Sequence, residues 1–138
     1  MSVDPATLQE GVELPPLEVA PGLGQVIRYC GMAWAFPPFF YDAEAARAMG
    51  MPGTIVPGPL KLGIVYRAVH EWLGDAGWIR QVRTAHRRPD RTGRPITVVG
   101  QVARVYEEDG ARRADLELLI INEEQQPSVR AFAVVEFF

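Results

Sequence analysis

Few side chains in this 138-residue sequence could carry chemistry: two histidines, His70 and His86, one cysteine, Cys30, and two serines, Ser2 and Ser128. The histidines stand far apart with no cysteine beside them, which is not a metal-ligand spacing, so no metal is expected. His70 falls beside the apolar stripe of a helical pattern and His86 within a strand pattern, and both read as structural residues rather than displaced bases. Neither serine lies in a nucleophile elbow, and no base neighbours Cys30 in sequence. Tyr41, Asp42 and Glu44 precede a short helical pattern, where Asp42 reads as the N-cap rather than as a proton-transfer group. Arg80, Arg83, Arg87, Arg88, Arg91 and Arg94 are the one basic concentration in a chain of net charge −3. Guanidinium groups in such number either clamp phosphates or form the wet face of two strands and their turn.

These groups need elements to position them. The stretch from Gly53 to Gly74 predicts the main helix: Leu60, Ile64, Val65, Ala68, Val69, Trp72 and Leu73 recur at helical steps. Pro57 and Pro59 fit only at its start, where a missing N–H costs little, and Gly74 is a natural stop. Before it, Val12–Val19 predicts an edge strand, broken by Pro15 and Pro16. Pro21–Cys30 predicts a short helix, and Asp42 caps another over Ala43–Met49. Between these helices lies an irregular, aromatic stretch, Gly31–Tyr41, containing Trp34, Phe36, Phe39 and Phe40. After the main helix every segment predicts a strand: Trp78–Arg88, Ile96–Tyr106, Arg112–Ile121 and Val129–Phe138. Glu107–Gly110 marks a hairpin between the second and third of them.

Composition sets the class. One domain covering residues 1–138 is expected, with residues 1–11 as a flexible lead-in. Hydrophobic residues make up 48% of the chain, enough for a core. The net charge of −3 argues against a nucleic-acid partner. A single cysteine fits a reducing cytoplasm. The start of the chain lacks a secretory pattern, and no apolar run is long enough for membrane insertion.

The order of elements, one long apolar helix followed by four strands, resembles the hot-dog fold, an α+β architecture in which an antiparallel sheet wraps a long central helix. Three stretches, Tyr41–Gly50, Pro52–Leu60 and Arg87–Val98, resemble the MaoC-like branch of that fold, the (R)-specific enoyl-CoA hydratases and hydroxyacyl-thioester dehydratases. The resemblance implies a loop of the form Asp-x-Asn-Pro-x-His-x-Asp, whose first Asp and His form a proton-transfer dyad. It also implies an oxyanion site for the thioester at the main helix N-terminus. With Asp42 on the last Asp and Pro38 on the Pro, the dyad positions fall on Ala35 and Phe40. Neither side chain can exchange a proton. Pro57 replaces a common His, while the Gly58 N–H is kept.

The expected function is therefore a pseudoenzyme: a non-catalytic, pocket-shaping subunit of a heteromeric hydratase or dehydratase in lipid metabolism. Its partner would be a second hot-dog subunit carrying the dyad, in a heterodimer or a dimer of heterodimers. Its ligand would be a bulky acyl thioester, of steroid side-chain or long fatty acyl type, on coenzyme A or an acyl carrier, with no cofactor. Trp34, Phe36, Phe39, Phe40 and Pro57 would line the pocket or an interface, and Arg83, Arg87, Arg88, Arg91 and Arg94 would meet the phosphates. A dyad-independent cyclase or thioesterase, or an acyl-thioester binding module, stands as the alternative.

Overall fold

The computed structural model describes residues 3–138. A short strand β1 (Leu17–Val19) leads into helix α1 (Leu23–Ala33), a 3-10 turn (Pro38–Phe40) and helix α2 (Ala43–Ala48). The long helix α3 (Gly58–Leu73) follows, then β2 (Gly77–His86), β3 (Ile96–Glu108), β4 (Ala111–Asn122) and β5 (Pro127–Phe137). The strands form one antiparallel sheet in the order β1-β3-β4-β5-β2. This is the expected α+β architecture.

The core follows from two periodicities meeting. Helix α3 buries Ile64, Val65, Ala68, Val69, Trp72 and Leu73. Alternate residues of the strands face it: Val98 and Val102 from β3, Leu116, Leu118 and Ile120 from β4, Val129, Ala133 and Val135 from β5. Each valine, leucine or isoleucine among them contributes about 1.5–3 kcal/mol by leaving water, and each alanine less. The opposite residues on the same strands, apart from the buried Ser128, stay at least partly open to solvent. The hairpin between β3 and β4 turns at Asp109 and Gly110, both at positive φ (53° and 77°), as a tight two-residue turn demands.

The largest departures from the sequence expectation lie before α3. The edge strand is only Leu17–Val19, because the two prolines reduce its earlier part to a single bridge between Glu13 and Gln101. Helix α1 starts at Leu23 and runs on to Ala33, so the irregular stretch begins three residues later than Gly31. Trp34 ends it in the left-handed region (φ 51°), with the Ala35 N–H donating back to the Cys30 carbonyl at 2.9 Å. Of the lead-in expected over residues 1–11, residues 1–2 lie outside the described residues; the rest is largely exposed but anchored at two points, Leu8 joining the core and the Gly11 N–H donating to the Val102 carbonyl at 2.8 Å.

Candidate functional site

The N-terminus of α3 is held from outside the helix. The Val56 N–H donates to the Asp90 carbonyl at 2.8 Å, and the Thr92 N–H donates to the Thr54 carbonyl at 3.0 Å. These bonds bridge the segment ahead of α3 to the turn between β2 and β3. That turn is fixed at its other points as well. The Arg87 and Arg88 N–H groups share the Ser128 carbonyl at 2.8 and 3.2 Å, and the Gly93 N–H reaches the Pro21 carbonyl at 2.7 Å.

One side-chain contact crosses the middle of this arrangement. Lys61 Nζ donates to Asp90 Oδ2 at 3.0 Å and to the Arg88 carbonyl at 3.1 Å. Both charged side chains are buried, at 3% and 2% exposure. Sequence reading missed this pair. Its one signal was a lysine one turn ahead of Ile64 and Val65, on a face otherwise apolar. Lys61 therefore clamps the arginine-bearing turn onto the first turn of the helix.

Pro57 offers no capping side chain, and Pro59 has no N–H to donate. The Gly58 and Leu60 N–H groups have no acceptor among the described residues, so the positive end of α3 is open to a ligand oxygen. His86 stands against it. A Cβ placed on Gly58 would lie 3.3 Å from His86 Nε2, so glycine here is what leaves room for the imidazole and for a ligand beside it. Thr84 Oγ1 lies 3.3 Å from the same nitrogen.

Burial first, and the Lys61 ammonium second, hold the His86 imidazole below its ordinary value of 6.5, with Asp90 pulling weakly the other way. The imidazole is therefore neutral at pH 7. The unfolded chain takes up this proton before the folded one does as pH falls, so His86 lowers stability progressively below about pH 6.5 and contributes nothing above it. Urea unfolding of the wild type and His86→Gln between about pH 7.5 and 5 checks this: the wild type should lose stability on acidification more steeply than the variant. Equal slopes would contradict it.

The other candidates separate. His70 lies exposed on α3, stacked on Tyr66 at 6.4 Å between ring centres. Cys30 is 2% exposed, and burial pushes its thiol up, which makes it a poor nucleophile. Asp42 caps α2, its Oδ1 accepting from the Glu44 N–H at 2.9 Å. The loop between α1 and α2 therefore spends its one carboxylate on a helix cap. Within that loop Phe39 and Phe40 are half-buried and meet edge to face at 4.6 Å. Trp34 and Phe36 pack on each other at 5.2 Å but point outward, Trp34 at 82% exposure.

The five arginines proposed for phosphate do not act together. Arg88, Arg91 and Arg94 line one cavity of about 270 Å³ beside the clamped turn, with Asn122, Glu123 and Glu124 opposite. Arg94 approaches Glu123 at 3.8 Å, an exposed pair of little worth. Arg87 does not line this cavity. Arg83 is on the other face of the sheet, its guanidinium 4.8 Å over the Phe132 ring.

No protein-family model matches the sequence, and no curated protein matches it. Solved structures do. The (R)-hydratase from A. caviae involved in PHA biosynthesis superposes with a TM-score of 0.87 at 20% identity, over 96% of this chain and 98% of that one. The chain has the hot-dog fold. A chain of the ChsH1-ChsH2 complex from Mycobacterium tuberculosis gives 0.83 at 19% identity, over 94% of this chain and 98% of that one. A chain of the C-terminally truncated HadBC complex, a 3R-hydroxyacyl-ACP dehydratase from the same organism, gives 0.74 at 17% identity, over 92% and 96%. The solved hot-dog chains similar to this one thus include hydratases, dehydratases and members of two-chain complexes. Among the described residues no helix is long and apolar enough to cross a membrane.

Proposed function

We propose that the chain is the dyad-free subunit of a two-chain hot-dog hydratase or dehydratase and helps to seat an acyl thioester that its partner transforms. One observation carries this. The Gly58 N–H has no acceptor among the described residues and is free to receive a thioester oxygen, while the resemblance puts the dyad positions on Ala35 and Phe40, whose side chains cannot exchange a proton. Carbonyl polarisation remains, and the proton transfer that a dyad at those two positions would supply does not. The Arg88–Arg91–Arg94 cavity lies beside the same turn and suits the phosphates of coenzyme A or a phosphopantetheine arm.

The free edge of β2 supports a second subunit. Ten residues, Gly77–His86, pair with β5 on one side only, and so long an edge presents a row of unused N–H and C=O groups. A partner strand added there would sit next to His86. Phe39 and Phe40, half-buried and packed edge to face, suit a bulky acyl group, and the lone buried thiol suits the cytoplasm.

Isothermal titration of the chain, and of its complex, with a long acyl-CoA tests the seat. Charge reversal of Arg88 and Arg91 to Glu should weaken binding about tenfold or more, since each lost charge-assisted contact is worth about 1.5–3 kcal/mol. Unchanged binding would remove the arginine cavity from the reading.

The position of His86 favours a second reading, in which the chain is itself a dyad-independent enzyme such as a thioesterase. A neutral imidazole beside a free backbone N–H could draw a proton from water attacking a thioester held at Gly58. Thioester turnover by the pure chain, lost in His86→Ala, would favour this reading over the first.

A further inference from the structure

The face of the sheet turned away from α3 carries a trough of about 750 Å³ that crosses β3, β4, β5 and β2. Two rows of cross-strand neighbours form it. One runs Gln101–Glu117–Phe132–Arg83 and the other Val99–Leu119–Arg130–Ala85. The second row supplies an apolar floor from Val99 and Leu119, both shielded from full exposure, and Phe132 extends it from the first. Arg83 and Arg130 are diagonal neighbours across β2 and β5, close enough to share a ligand.

Neither arginine has an ion-pair partner among the described residues, which leaves both guanidinium groups available to a ligand. Arg83 is also steadied by its position over Phe132. Of the trough's carboxylates, Glu117 is one strand from Arg130, and Glu13 lies beyond β3 at the far end. The β5–β2 end therefore holds two cations against at most one anion. From β3 to β2 the floor spans about 14 Å, at about 4.8 Å per strand step.

We propose that this trough is a second binding site, independent of Gly58, for an amphipathic anion: a carboxylate or phosphate head on Arg83 and Arg130 and an alkyl body along Leu119 and Val99. Its volume is that of a small-molecule site, and its chemistry, an apolar floor with two convergent polar groups, is what such sites use. Glu117, beside the alkyl path, disfavours a second negative charge along the body and so fixes the head at the arginine end.

Decanoate, decyl phosphate, decanol and decyltrimethylammonium, each titrated into the isotope-labelled chain below its aggregation limit, separate the terms by amide chemical-shift mapping. Both anions should shift residues around Leu119, Arg130 and Phe132 saturably, and whichever of the two binds tighter identifies the head group. Decanol and the cation should bind at least about tenfold more weakly, one charge-assisted contact being worth roughly that factor. Arg83→Gln with Arg130→Gln, and independently Leu119→Glu, should each weaken the anions by a similar factor while the rest of the spectrum stays in place. Equal binding of decanol, tighter binding of the cation, shifts centred on Gly58 that ignore the arginine changes, or no saturable shift at all would each overturn the proposal.

Discussion

Replacing Lys61 by Met should lower the unfolding free energy by about 3–5 kcal/mol, the cost of removing one partner from a buried ion pair. The size comes from what is left behind. Asp90 Oδ2 takes its one side-chain hydrogen bond from Lys61 Nζ at 3.0 Å and is 2% exposed. Without Lys61 the carboxylate remains in a low-dielectric site with nothing to offset its lost hydration. The Arg88 carbonyl loses its donor at the same time. Removing both charges, as Lys61→Met with Asp90→Leu, should recover most of the loss, because two buried ions are then never desolvated. Urea unfolding of the three proteins measures this. A single variant within about 1 kcal/mol of wild type would mean that the pair is no clamp.

Hydration of a trans-2-enoyl thioester by the pure chain should be slower than by the assembled two-chain complex by about two to four orders of magnitude, the usual worth of general acid–base catalysis. The Gly58 amide can polarise the carbonyl in either case, so the difference isolates proton transfer. Installing a dyad tests the same point within one chain. Ala35→Asp with Phe40→His should raise the rate of the pure chain at least about tenfold, a fraction of the full effect because the surrounding hydrogen bonds are not built for it. An unchanged rate would place the deficit in the shape of the loop, where Phe39 and Phe40 interlock. A pure chain already as fast as the complex would contradict the subunit reading outright.

The fold was legible because its signals are periodic. The helical steps from Leu60 to Leu73 and the alternation in the last three strands each specify one buried face, and the two faces meet. The cap at Asp42 and the turn at Asp109–Gly110 were equally local. Contacts between distant segments were not legible in this way. No local rule joins Lys61 to Asp90, which are 29 positions apart, or brings His86 at the end of β2 against Gly58 at the start of α3. The same limit split the arginines. Arg83 and Arg88 are near in sequence, but strand alternation puts Arg83 on the outer face, while Arg88 sits past the strand end in the clamped turn. The packing of Leu8 was hidden for a different reason, since one apolar residue among polar neighbours has no period to read.

The most direct measurement is recovery of the tagged chain from its native cells under gentle conditions, with mass spectrometry of what remains bound in stoichiometric amount. The account predicts one second hot-dog chain whose loop carries an Asp and a His at the positions of Ala35 and Phe40 here. It also predicts protection of the β2 edge, Gly77–His86, from amide exchange in that complex. Recovery of the chain alone, with β2 protected only by its own copy, would contradict it and leave His86 as the nearest group able to move a proton at Gly58.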